Sequence, residues 1–204
     1  MPHSLNIALC LFLAVSAAAA QIPDAGAKMM KIARHRVVAA KFVQTRHLAE
    51  LDMDVESRGS MVSELDGRLR WQVDTPVQSV TLIESEKLTH WDADSGKTAV
   101  IEMAKFPWLA LLREALQEWF SGDPERLAKR FEVTYPRPDV LHLVPRDATL
   151  KTLCRSVDIT LAPGGEAIGS VRIAEPGGDT LEIRFHEVVN DPQLPPNIWR
   201  MPPR

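Results

Sequence analysis

Gly67-Arg68-Leu69-Arg70-Trp71-Gln72-Val73-Asp74-Thr75-Pro76 decides the fold class. Leu69, Trp71 and Val73 alternate with Arg68, Arg70 and Gln72. A period of two marks a strand with one dry face and one wet face. The same alternation recurs in Val80 and Leu82, in Leu141 and Leu143, and in Val157, Ile159 and Leu161. It returns in Val171 and Ile173, then in Leu181, Ile183 and Phe185. Between these runs stand Asp94-Ser95-Gly96, Pro163-Gly164-Gly165 and Pro176-Gly177-Gly178. Such glycine-bearing turns suit hairpins. Strands in succession with tight turns predict antiparallel pairing rather than alternating β-α-β units.

Two segments depart from the strand pattern. Residues 24–36 read as a short helix, with Asp24 as N-cap and Met29, Ile32 and Ala33 on one face. Residues 106–120 (FPWLALLREALQEWF) place Trp108, Leu111, Leu112, Ala115, Trp119 and Phe120 at helical spacing, and Pro107 suits a first turn. Ser121-Gly122-Asp123-Pro124 ends that helix, and Asp123 is expected to cap a second one running to Lys129. The tail from Asp191 to Arg204 carries five prolines and reads as extended.

Of the 204 residues 45% are hydrophobic and 25% charged, as in an ordinary globular chain. Twenty-four basic against 27 acidic side chains leave a net charge of −3, without the basic surplus that nucleic-acid binding needs. Residues 1–20 hold no Lys, Arg, Asp or Glu, and an apolar run from Ile7 to Val15 ends in Ser16 and four alanines. That pattern is a signal peptide cleaved after Ala20, with residues 21–204 as one domain exported to the periplasm. The run is shorter than the roughly 20 residues that span a bilayer. Cys10, preceded by Leu9 in mid-run, does not suit a lipidation site, and cleavage leaves Cys154 alone.

A search for reaction chemistry returns no Gly-x-Ser-x-Gly, no phosphate-binding glycine loop and no His-Glu-x-x-His. His90, Asp92 and Asp94 read as a strand end entering a turn rather than a metal site. His35 and His47 read as surface histidines, and Cys154 as a buried small hydrophobe within a strand. The chain is therefore read as a non-enzyme without metal or cofactor. What remains is a curved sheet, a helical insertion and five tryptophans. Either the helix completes the core, or the space beneath it is a dry cavity for an apolar ligand. Periodicity leaves both open.

Four stretches resemble the LolA-like periplasmic lipoprotein carriers. They are Ala40-Lys41-Phe42-Val43-Gln44-Thr45, then Gly59-Ser60-Met61 with residues 67–76, then Leu82 to Trp91, and finally Leu194-Pro195-Pro196-Asn197-Ile198-Trp199. The resemblance implies a mainly β fold with some α: an incomplete antiparallel half-barrel, with helices covering its apolar concave face. It implies a monomeric carrier that shields acyl chains of a lipoprotein or other lipid between an inner-membrane transporter and an outer-membrane acceptor. The expected lining is Phe42, Leu69, Trp71, Val80, Leu82, Trp108, Leu112 and Trp119. Leu65 and Asp66 stand where the family has an Arg-Pro pair whose arginine holds the lid, so Arg68 or Arg70 is expected to supply that contact. The chain also ends soon after the final motif, without a further strand, which suits a divergent relative carrying another lipid. The competing reading is a lipid-responsive sensory or protein-binding module on the same fold, with an acyl-modifying enzyme third.

Overall fold

The computed structural model describes residues 24–32, 34–105, 114 and 124–202. The expected signal segment and, apart from Glu114, the expected helix over 106–120, including Trp108, Leu112 and Trp119, lie outside the described residues. Helix α1 (Asp24–Ile32) leads into six strands: β1 (Val37–Leu48), β2 (Met53–Glu64), β3 (Leu69–Thr75), β4 (Ser79–Ile83), β5 (Lys87–Asp92) and β6 (Lys97–Glu102). A 3-10 turn at Met103–Lys105 follows, then α2 (Pro124–Arg130), β7 (Phe131–Arg137) and β8 (Val140–Pro145). The chain continues through α3 (Ala148–Leu153), β9 (Ser156–Leu161), β10 (Ile168–Ala174) and β11 (Thr180–Asn190).

The eleven strands among the described residues join one antiparallel sheet in the order β6-β5-β4-β3-β2-β1-β11-β10-β9-β8-β7. Its edges β6 and β7 do not pair, so the sheet is an open half-barrel. The first and last strands meet in the middle, where β1 and β11 are seamed by Phe42 opposite Phe185 and Gln44 opposite Ile183. At that seam the register shifts between Ala39 and Lys41, and Glu187 takes a positive φ of 49°. A bulge of this kind bends the strand and strengthens its twist.

The inner face is apolar over two stretches. Over β7–β10 it carries Phe131, Leu141, Leu143, Val157, Ile159 and Val171, all buried. Ala25, Met29 and Ile32 of α1 and Leu127 of α2 pack against them in one cluster. Helix α1 is thus an amphipathic lid over one half of the sheet, with its apolar residues at the i, i+4, i+7 spacing that faces a core. It stops at Ile32, earlier than the expected residue 36, and Ala33 lies outside the described residues. Over β1–β3 a second cluster joins Ala40, Phe42, Met61 and Leu69 to Trp71, Val73 and Ile83. Phe185 packs against both clusters and ties the halves together.

Helix α3 has no counterpart in the sequence reading. Asp147 caps it, accepting from the backbone N–H groups of Thr149 (2.8 Å) and Leu150 (3.1 Å). Cys154 is its C-cap rather than a strand residue, and its N–H donates to the Leu150 carbonyl. Burial, then the Glu175 charge, push its thiol pKa up, so the thiolate is disfavoured.

Charged side chains fasten the entrance to β1. Asp191, at a positive φ of 50°, accepts from the Arg36 N–H at 2.7 Å and the Val37 N–H at 3.1 Å. His35 Nδ1 lies 2.9 Å from its other oxygen. The bond from His35 first, then those from the backbone, hold the Asp191 carboxyl below the usual aspartate range. A carboxylate depressed in the folded state stabilises above its ordinary pKa of about 4, and that contribution disappears as pH falls through the lower folded value. The urea midpoint is expected to drop on acidification below about pH 4. Asp191→Asn, which keeps an acceptor but does not ionise, should be less stable at neutral pH and show a shallower acid drop. Equal slopes for the two proteins would remove Asp191 from the acid limb.

Candidate functional site: a recess on the inner face

Helix α1 leaves part of the inner face uncovered. Between its C-terminal end, strands β1–β4 and the neighbouring parts of β10 and β11 lies an open recess with a cavity volume of about 70 Å³. Its described walls include Ile32, Val38, Ala40, Met61, Leu69, Ile83, Ile168, Phe185 and Val188, with His35, Ser63, Glu64 and Asn190 as polar members. Strand alternation places these side chains. Ala40 stands opposite Met61, Met61 opposite Trp71, Ser63 opposite Leu69, and Leu69 opposite Ile83, so all share one face.

Of the residues expected to line a cavity, Leu69 does so. Phe42 and Trp71 pack beside it on the same face, their rings stacked with centroids 3.9 Å apart and planes 21° from parallel. Phe185 meets Trp71 edge-on at 6.5 Å. Val80 and Leu82 do not belong to this group. They pair with Gln72 and Arg70, which puts them on the outer face, where they are nevertheless buried. The other residues of β4, among them Ile83, face inward instead. Trp108, Leu112 and Trp119 fall outside the described residues.

Among the described residues, Arg68 and Arg70 touch the C-terminal tail and not a helix. Arg70 shares the outer face with Leu82, and its Nη1 donates to the carbonyls of Ile198 and Arg200, each at 3.0 Å. Its Nη2 donates to Gln72 Oε1 at 2.8 Å. Arg68 donates to Glu64 through Nε (3.0 Å) and Nη2 (2.7 Å), and its guanidinium lies 4.2 Å from the Trp199 ring centroid. The two arginines thus clasp the proline-rich tail against the outside of β3. Burial lowers the Arg70 pKa from its ordinary value, yet a guanidinium stays charged throughout the physiological range. The tail itself is extended as far as a turn closed by Ile198 N–H to Pro195 O and Arg200 N–H to Asn197 O.

Leu65 lines the recess and is 59% exposed. The only described contribution to a helix over 106–120 is helical Glu114, which pairs with Arg130 of α2. The histidines and acids singled out as candidate ligands have other partners. His90 pairs with Thr81 (2.9 Å), His47 with Asp54 (2.8 Å), and Asp92 accepts from the Ser95 N–H at 2.9 Å to close its turn. Among the described residues no group of three His, Cys, Asp or Glu side chains is placed to hold a metal.

A model of the outer membrane lipoprotein carrier protein LolA family matches residues 34–201, from the end of α1 to the clasped tail. The chain belongs to this family. Among proteins of known name it is similar to an outer-membrane lipoprotein carrier protein of Pseudomonas entomophila, 21% identical over 172 residues that span 82% of this chain and 78% of that one. A protein of the same description from Alkalilimnicola ehrlichii is 28% identical over 148 residues, 71% of this chain and 65% of the relative. Among solved structures, an uncharacterized conserved protein from Thermus thermophilus shares the fold at 7% identity and a TM-score of 0.51, covering 88% of this chain and 93% of that one. A LolA superfamily protein from Nitrosomonas europaea superposes with a TM-score of 0.44 at 9% identity, over 87% of this chain and 97% of that one. Two of the stretches quoted for the resemblance meet in identifiable parts of this structure. Phe42 and Trp71 stack behind the recess, and Ile198 to Arg200 form the segment that Arg68 and Arg70 clasp.

Proposed function

We propose that the protein is a periplasmic carrier that shelters acyl chains of a lipoprotein or another lipid in the inner-face recess. On this reading, residues 1–20 direct export and are removed. The mature chain takes cargo from an inner-membrane transporter and gives it to an outer-membrane acceptor, by binding and without catalysis. The observation that carries the reading is the recess itself, mostly apolar and lying within a segment that matches a carrier family from end to end. Each methylene removed from water is worth about 0.8 kcal/mol, so a long acyl chain offers on the order of 10 kcal/mol before the costs of ordering it. Apolar walls hold such a chain without directional bonds that would have to be broken at delivery. Leu65 at the rim adds apolar surface where a chain would enter.

The test is mass spectrometry of organic extracts from protein purified out of a periplasm, beside an Ile83→Glu variant. Ile83 is half-buried and lines the recess, so a carboxylate there meets solvent in the empty protein but faces the bound chain in the loaded one. About one lipid per wild-type protein, lost from a variant that keeps its circular dichroism spectrum, is the expected result. A wild-type protein that comes out empty and also ignores fluorescent acyl probes would leave the recess without a lipid. Leu112→Glu in the same experiment reads whether residues 106–120 touch the cargo.

A further inference from the structure

The recess is not uniformly apolar. Asn190, Val38, Ser63 and Leu69 stand side by side across β11, β1, β2 and β3, each opposite the next in register, and all four line the recess. Asn190 Oδ1 is buried there and accepts no hydrogen bond from any described residue. His35 lines the same end, with Nδ1 held by Asp191. The Ser63 hydroxyl can accept a hydrogen bond. Glu64, also in the wall, is a carboxylate already engaged by Arg68. No lysine or arginine is among the described lining residues.

A buried acceptor without a donor loses its hydration and recovers nothing. The unanswered Asn190 acceptor and the lack of a cation among the described lining residues call for a donor from the ligand. We propose that this end of the recess reads a hydrogen-bond donor, an N–H or O–H, at the head of a bound alkyl chain. The inference rests on the lipid-binding reading and sharpens it. A chain ending in an amide or a hydroxyl is retained over one whose head only accepts, and a free carboxylate is disfavoured beside Glu64.

Mature, delipidated protein titrated calorimetrically with three twelve-carbon probes tests this. N-methyldodecanamide carries an N–H, 1-dodecanol an O–H, and methyl dodecanoate no donor. The amide, the alcohol or both should bind about five- to tenfold tighter than the ester, the gain of one buried hydrogen bond. A preference confined to one of them names the head group. Asn190→Leu should abolish the difference, so that the favoured probe and the ester bind this variant alike. Equal binding of all three probes by the wild type, tighter binding of the ester, or a preference that survives Asn190→Leu would overturn the donor reading while leaving the recess a lipid site. If none of the three binds, the lipid site fails and the donor reading fails with it.

Discussion

Replacing Gly59 by alanine is expected to cost about 3 kcal/mol and to lower the thermal midpoint by about 6–12 °C. Gly59 sits on β2 where its pairing with β3 slips, and the chains approach closely there. A Cβ on Gly59 would stand 1.8 Å from the Gln72 carbonyl oxygen and 2.9 Å from Phe42 Cζ. The first contact is with backbone in a hydrogen-bonded strand, so relief requires β3 to move. The second is with a ring already stacked on Trp71, so relief in that direction disturbs the aromatic pair. Gly177→Ala, in the β10–β11 turn, is the control: its Cβ would meet nothing within 4 Å, and the midpoint should hardly change. Thermal unfolding followed by circular dichroism compares the three proteins. A Gly59→Ala protein that melts with the wild type would mean that the sheet does not keep the two strands this close.

Gly59 also marks what the sequence could and could not convey. Alternation located β3, β4 and β8 to β11 and the dry face of β3, because a half-buried strand carries its period in its own residues. It did not say which way a strand faces when both faces are covered. In β4, Val80 and Leu82 alternate with residues that include Ile83, and the two sets are buried on opposite sides. The missing information was the register with β3, which is a property of two strands. Arg68 and Arg70 misled for a related reason. Their alternation with Leu69 and Trp71 correctly gave them the other face, but a tail some 130 residues away covers it. A short extended segment has no period with which to announce its partner.

Helix α3 escaped because six residues are under two turns, too few for a helical stripe. Asp147 before Ala148-Thr149-Leu150 was the one available signal. The recess was legible only as a possibility, since a cavity is what the packing leaves unfilled. Its polar end depends on Asn190 standing opposite Val38, which in turn stands opposite Ser63, and the first of these pairings joins strands from opposite ends of the chain. Seen alone, Asn190-Asp191-Pro192 reads as the close of a strand. That holds for Asp191, which ties down the start of β1, but Asn190 faces inward.

Phe42→Ala is expected to be the most destabilising truncation on the inner face, and its cost should depend on whether the recess is occupied. Phe42 is fully buried, stacks on Trp71 and shares a cluster with Ala40, Met61 and Leu69, all three of which line the recess. Removing such a ring costs about 3–5 kcal/mol, of which part is the energy of the hole left behind. Here the hole would open beside a site proposed to take an alkyl chain, and an apolar ligand that reaches into it refills the space. Binding to the folded state alone then adds stability through mass action, and more of it when the ligand buries more surface. Urea unfolding with and without saturating N-methyldodecanamide separates the two contributions. The variant should lose its full stability decrement of about 3–5 kcal/mol when empty and distinctly less when the ligand is present. Equal losses in both conditions would show that the space behind Trp71 is sealed from the recess, and that the aromatic stack is a wall the cargo never reaches.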